Sequence, residues 1–475
     1  MTESPAQRGR RAVQGRRRPD VTTLIALALP VVTAAAVVLV KPHSTPAVAH
    51  PPSESRLVQL DRGCPPGSSD DTVAVANATG SAAQATQRTL ARGPSEPTPL
   101  RLPAGAVATA DAGADSVVLT AQDASAVGLV AARFASGSVA SVQCPVASSE
   151  VWFTGVGARA GQQTVLQIAN PDAGPAVVDV SVYSGKGLVD TPEVRGIRVP
   201  GRSVATVDLA QTIPRRGELA VQVAVSRGRA AITALESAGL NESSRTGEWL
   251  PGQAEPSTAN LLLGLPRDGE RRVLTLANPG ESEAVVSLEL VTDSNTFEPT
   301  GLPRIRVRPG SVLRVPLAQV LSGKAAEGAT GVLVDSSVPL TAAVRSRVAG
   351  DLVLTPSAAG LGEEGAALLP AAAGPPLTGA ATASLVLAGA TSAGRATLTV
   401  RNAAGEAVLE RTLRVVPDRS LTVPLPRDGA LLDLTSADLG IAAAVVVATP
   451  KGATVVPVLD VPQHSLTAQV APAGP

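Results

Sequence analysis

The sequence predicts an all-β protein, a tandem series of immunoglobulin-like β-sandwich modules behind one N-terminal transmembrane helix. Three observations carry this reading. After residue 41, short runs rich in Val, Ala and Thr are bounded by Gly, Pro, Asn and Asp. The same order of strands returns in about four copies. Ahead of them stands an uncharged stretch, residues 21–40.

The N-terminus comes first. Residues 1–20 carry Arg8, Arg10, Arg11, Arg16, Arg17 and Arg18, and residues 21–40 read VTTLIALALPVVTAAAVVLV. At about 1.5 Å per residue such a helix spans about 30 Å, the thickness of a hydrocarbon core. Arginines on one side and only Lys41 on the other hold the N-terminus in the cytoplasm and export the rest. The expected location is therefore the cell membrane, single-pass, with an extracytoplasmic body. Ala47-Val48-Ala49 before His50 offers the alternative of cleavage and secretion. The length of the apolar run favours a retained signal anchor.

The strands follow. LQIANPDAGPAVVDV at 166–180 returns as LTLANPGESEAVVSL at 274–288, and IRVPGRSVATVDLAQ at 197–211 returns at the same displacement as IRVRPGSVLRVPLAQ at 305–319. Fainter copies lie upstream, in VAVANATG at 73–80 and LRLPAGAVATAD at 100–111. Another lies downstream, in RATLTVRN at 395–402 and LRVVPDRSLTVPL at 413–425. In the second copy Val204, Thr206 and Asp208 point one way and Ala205, Val207 and Leu209 the other, the alternation of a half-buried strand. Roughly seven such strands per 100 residues is the immunoglobulin-like pattern.

The expected organisation is an Arg-rich cytoplasmic tail (1–20), the span (21–40) and a Pro-rich stalk (41–60). Modules follow at 61–146, 147–246, 247–357 and 358–475, the last with a linker and a C-terminal tail. Ser237–Thr258 and Ala359–Ala381 read as linkers from their polar and Gly/Pro-rich composition.

Cys64 and Cys144 bracket the first module, whose only aromatic residue is Phe134. So small a core calls for a staple, and export supplies an oxidising compartment. A disulfide closing this loop is worth about 4.5 kcal/mol by loop entropy, and roughly 2–4 in practice.

The Cys-Pro pair at Cys64, CPVASSEVWFTG at 144–155, the pairs Asn170-Pro171 and Asn278-Pro279, and the N-terminal span together resemble a known family. They look like actinobacterial secreted proteins of domain of unknown function family 5719. The resemblance runs over nearly the whole chain after residue 20. It implies location and class, and no activity.

Chemistry is sparse. The 40 basic and 40 acidic residues balance, which excludes the basic footprint of a nucleic-acid binder. His43, His50 and His464 all lie outside the repeats. A Ser-His-Asp or Cys-His centre needs a histidine held by packed structure, so those classes and a zinc site fall away. Asp179 with Asp190, or Glu150 with Glu193, could form a carboxylate pair, but acids on strand faces and turns are the norm. The stretch 293–298 offers oxygens to calcium without EF-hand spacing, and reads as a connecting loop. Gly155 and Gly157 precede a strand rather than a helix, so they mark a turn and not a phosphate loop. The Asn-Pro pairs read as turn caps.

No catalytic, cofactor or metal site is expected. The favoured reading is a non-enzymatic envelope scaffold or protein-interaction array. The alternative is an envelope glycan-binding protein, with Trp152, Trp249 and Tyr183 as candidate ligand contacts.

Overall fold

Val, Leu and Ala at alternate positions build the strands, as in Ala176–Ser184, where buried and half-buried residues alternate without a break. The computed structural model describes residues 53–90, 95–239, 246–253, 255–321, 323–374, 376–436 and 439–467. The tail, the span and most of the stalk expected at 1–60 lie outside them. Among the described residues no helix is long and apolar enough to cross a membrane. Ser55–Ser465 form one compact unit, and Ser53–Glu54 with Leu466–Thr467 belong to a second.

Within Ser55–Ser465 the protein is all-β, with antiparallel sheets consistent with β-sandwiches. The sheets fall into four groups along the chain. In the first, one sheet has the order 59–64, 116–122, 83–90, 98–102, and the other 108–110, 72–77, 129–134, 141–143. The second occupies 150–250. Its strands Glu150–Arg159 and Gln162–Asn170 pair only at the hairpin tip, Ala158 with Gln163 and Arg159 with Gln162, and then diverge into two sheets. Between those sheets lies a core of Phe153, Leu166, Ile168, Val180, Leu219 and Val221.

The third group, 257–358, is organised by the long strand Gly331–Val348. Its first half pairs with Ser257–Leu263 and Ala284–Val291, its second half with Glu270–Asn278 and Asp351–Ala358. Ala349 and Gly350, both at positive φ, make the two-residue turn between the last two strands. The fourth group has a five-stranded sheet ordered 407–415, 394–401, 431–435, 364–368, 459–460. Its four-stranded partner is ordered 421–424, 382–388, 442–449, 452–457.

Two stretches read as linkers contain strands. Thr246–Leu250 pairs with Ala231–Ala238, and Glu364–Leu368 pairs with Leu431–Thr435. Burial of Trp249, Leu250, Ala367 and Leu368 outweighs their Gly-rich surroundings.

The four groups close into a cycle of buried faces. Leu90, Val118, Ala169 and Ala231 join the first to the second, where a Cβ on Gly63 would lie 2.5 Å from the Ala231 methyl. Ala220, Ala277 and Val312 join the second to the third. Leu263, Val353, Val386 and Ala444 join the third to the fourth. Ala74, Ala76, Ala132, Ala366, Leu368 and Leu431 join the fourth back to the first. There the Gln143 amide brackets one residue: its Nε2 donates to the Leu368 carbonyl (2.9 Å) and its Oε1 accepts the Leu368 N–H (3.1 Å). Small side chains on outward faces let neighbouring sheets approach closely, which gives the alanine-rich composition a second use beyond filling cores.

Candidate functional site

In the strand Glu150–Arg159, Phe153 enters the core of its own group while Trp152 faces the third. The Trp152 indole N–H donates to Glu150 Oε1 (2.8 Å), and Gln222 Nε2 donates to the same oxygen (3.0 Å). Trp152 and Gln253 also exchange backbone hydrogen bonds of 3.2 and 2.8 Å. The Tyr183 ring lies 5.5 Å from the indole, tilted by 32°. Tyr183 rests on Ala220, Ala277 and Val312, and burial, then the Glu150 charge, push its phenol above the ordinary range. An open cleft of about 640 Å³ passes Glu150, Trp152, Glu255, Glu281 and Pro339.

Two of the three predicted aromatic contacts therefore meet, and the third stands apart. Trp249 is wedged between the first and second groups against Ala140, Val142 and Leu235. At 2% and 5% exposure, Trp152 and Trp249 present no open indole face on which a sugar ring could stack.

Cys64 and Cys144 form the expected disulfide, Cα atoms 4.5 Å apart and both residues buried. Beside it Arg62 is buried, its Nε donating to the Leu129 carbonyl (2.6 Å) and its Nη1 to that of Cys144 (3.1 Å). Burial holds this guanidinium down at about 10.

The remaining sequence candidates have structural partners. Asp179 accepts the Gly196 N–H (2.8 Å), and Asp190 pairs with Arg195 (3.5 Å) at the surface. Glu150 is engaged by Trp152 and Gln222, while Glu193 sits on the 3-10 turn Pro192–Val194. The Thr292 hydroxyl organises the loop at 293–298, accepting the Asn295 N–H and donating to its carbonyl. Among the described residues no three His, Cys, Asp or Glu side chains gather to hold a metal. Gly155, expected in a turn, lies inside a strand at φ +86°, where the pairing shifts register. Asn170 and Asn278 are buried turn caps: their amides donate to Val199 (3.2 Å) and Val307 (3.1 Å) carbonyls.

Sequence reading missed a set of buried acids. Glu248, 3% exposed, stands where all four groups meet. Its carboxyl faces the Thr454 hydroxyl and the Ser141 and Trp249 backbone, and it feels Asp351. Neither of its oxygens makes a hydrogen bond of good geometry. Burial, then Asp351, push it well above the carboxylate range. Glu236 is likewise buried and raised by burial, against the opposing pull of Arg345. A Glu in a short strand carries no such signal by itself. The apolar neighbours of Glu248 on both strand faces, Trp249 and Leu250, are the one hint.

Comparison with known proteins adds one result. A family model matches residues 104–426, from the middle of the first group into the fourth. The chain belongs to the family of unknown function DUF5719. No curated protein matches it. The match bears out the family resemblance and takes in CPVASSEVWFTG and the two Asn-Pro pairs, while the Cys-Pro pair at Cys64 and the stretch 21–40 lie outside it; it assigns no chemistry.

Proposed function

We propose that this protein is a non-enzymatic extracytoplasmic scaffold: four immunoglobulin-like sandwich modules, carried on the span at 21–40, offering an interaction surface to a partner protein of the cell envelope. The observation that carries the reading is the cyclic burial of the four sheet groups against one another. Sheet faces that a flexible string of modules would leave to solvent are spent on fixing the modules as a single block, as a docking platform requires.

The fourfold copy is supported by a recurring turn. Asn77, Asn170 and Asn278 each end a strand and Asn402 directly follows one, and each side-chain oxygen accepts a backbone N–H two residues on. Only the middle two are followed by Pro. A groove of about 780 Å³ that a partner could enter lies over the first sheet, lined by Gln84, Thr86, Arg101, Thr120 and Gln122. The glycan alternative has less support, because the two indoles it relied on are buried.

A photo-crosslinking residue at Gln84 or Gln122, in living cells, tests the proposal. The expected product is a discrete adduct with one envelope protein. Recovery of polysaccharide alone would favour the glycan alternative, and no adduct at either position would defeat the docking reading.

A further inference from the structure

A second cleft, of about 480 Å³, opens between the second and third sheet groups, and its lining is unusually basic. Arg159, Arg271, Arg314, Arg345 and Arg347 line it. Glu218 is shared by Arg159 (3.2 Å) and Arg314 (3.5 Å), and the buried Glu236 takes Arg345. Arg271 and Arg347 have no carboxylate partner among the described residues. Two acids flank the cleft: Asp351, which senses Arg347, and Glu270, opposite Arg347 in the strand register.

Two further observations point to a ligand. First, both walls carry strained backbone. Arg271 and Glu218 each sit at φ +50°, which side chains other than glycine rarely adopt. Arg271 lies in the register break between Glu270 and Val273, and Glu218 lies beside the breaks at Thr154–Ala158. Bulges re-aim side chains, and such strain persists where function requires it. Second, a donor in the wall goes unused: Arg345 Nε has no hydrogen-bond partner.

We propose that this cleft binds a phosphate-bearing ligand, a phosphorylated sugar or a phosphodiester segment of comparable size. The five guanidiniums outnumber the four nearby carboxylates by one, and Arg271, paired with none of them, offers its fork to an anionic group. A phosphate monoester carries about −1.5 to −2, and the planar arginine fork matches its oxygens. The volume lies within the roughly 300–1,000 Å³ of small-molecule sites. Arg347 also holds the turn behind it, its Nη1 donating to the Gly350 carbonyl (2.6 Å), so Arg271 is the arginine of the lining whose side chain has no ion pair or hydrogen bond among the described residues. The inference is independent of the scaffold reading, since partner capture and anion binding can each fail alone.

Calorimetric titration of the full chain with inorganic pyrophosphate tests it. The expected result is saturable one-site binding. Arg271→Gly should bind at least about tenfold more weakly, as loss of one charged hydrogen bond implies. It should also melt at a higher temperature, because glycine relieves the left-handed backbone. Arg347→Ala should weaken binding similarly, and Arg267→Ala, on the exposed turn outside the cleft, should bind as the parent does. Absent saturable binding, or parent-like binding by Arg271→Gly, overturns the site. Citrate binding as tightly as pyrophosphate overturns the phosphate assignment.

Discussion

Asp433 gives a sharp test of the buried-acid energetics. It lies on the strand Leu431–Thr435, opposite Ala366 on one side and Thr399 on the other. Burial first, and the Glu364 charge second, push its carboxyl from 3.8 up to about 7 against the pull of Arg401. Its Oδ1 has no hydrogen-bond partner. The folded protein therefore keeps this proton up to near neutrality, while the unfolded chain releases it near 3.8. Stability from the neutral acid is complete below the unfolded value and is lost as pH rises through about 7. The full gap corresponds to about 4 kcal/mol. Because the carboxyl is partly exposed, screening reduces this to about 1–3 kcal/mol. Asp433→Asn keeps the shape and removes the charge. Urea unfolding should show the variant more stable than the parent by that amount at pH 8, and by clearly less at pH 5. An equal gain at both pH values, or a loss at pH 8, would refute the reasoning.

The other predictions follow from the same structure. Replacing Cys64 and Cys144 by Ser should cost roughly 2–4 kcal/mol in unfolding, and peptide mapping without reductant should recover the two joined. Glu248→Gln should raise the melting temperature at pH 8 and less at pH 5, because the raised carboxyl loses its stabilising proton as pH climbs; a lower melting temperature at pH 8 would contradict its assignment as an uncompensated charge. Fragments 147–253 and 255–358, cut so that the strand Thr246–Leu250 stays with its partner Ala231–Ala238, should melt lower than the full chain and bind a hydrophobic dye through the faces around Ala220, Ala277 and Trp249. Dye-free, independently stable fragments would show that these contacts contribute little.

Much of the architecture was legible in the chain. The strand read at 204–209, which runs from Ser203 to Asp208 before Leu209 opens a short helical turn, the Asn-Pro turns and the paired cysteines each follow from a local rule, strand period, side-chain cap or small-core staple. What escaped notice is how little outer face is left over. In Thr72–Asn77 both Val73 and Ala74 are buried, one within its own sheets and the other against the fourth group. A continuous apolar run of this kind signals two-sided burial, but with alanine on one side it reads as weak surface. Thr246–Leu250 was missed for a related reason: its glycine and its acid suggest a linker, and only packing from neighbouring groups makes it a strand. The basic cleft was invisible because its arginines come from strands far apart in the chain.

The cyclic arrangement has a topological consequence. The hydroxyls of Ser55 and Ser465 lie 2.8 Å apart, so the compact unit begins and ends at one point on its surface. Joining those ends with a short linker and opening the chain at 239–246 would give a circular permutant with the same sheets and the same neighbours. For the same reason, a protease that cuts one connection between groups does not release a piece, because every group remains held on its other side.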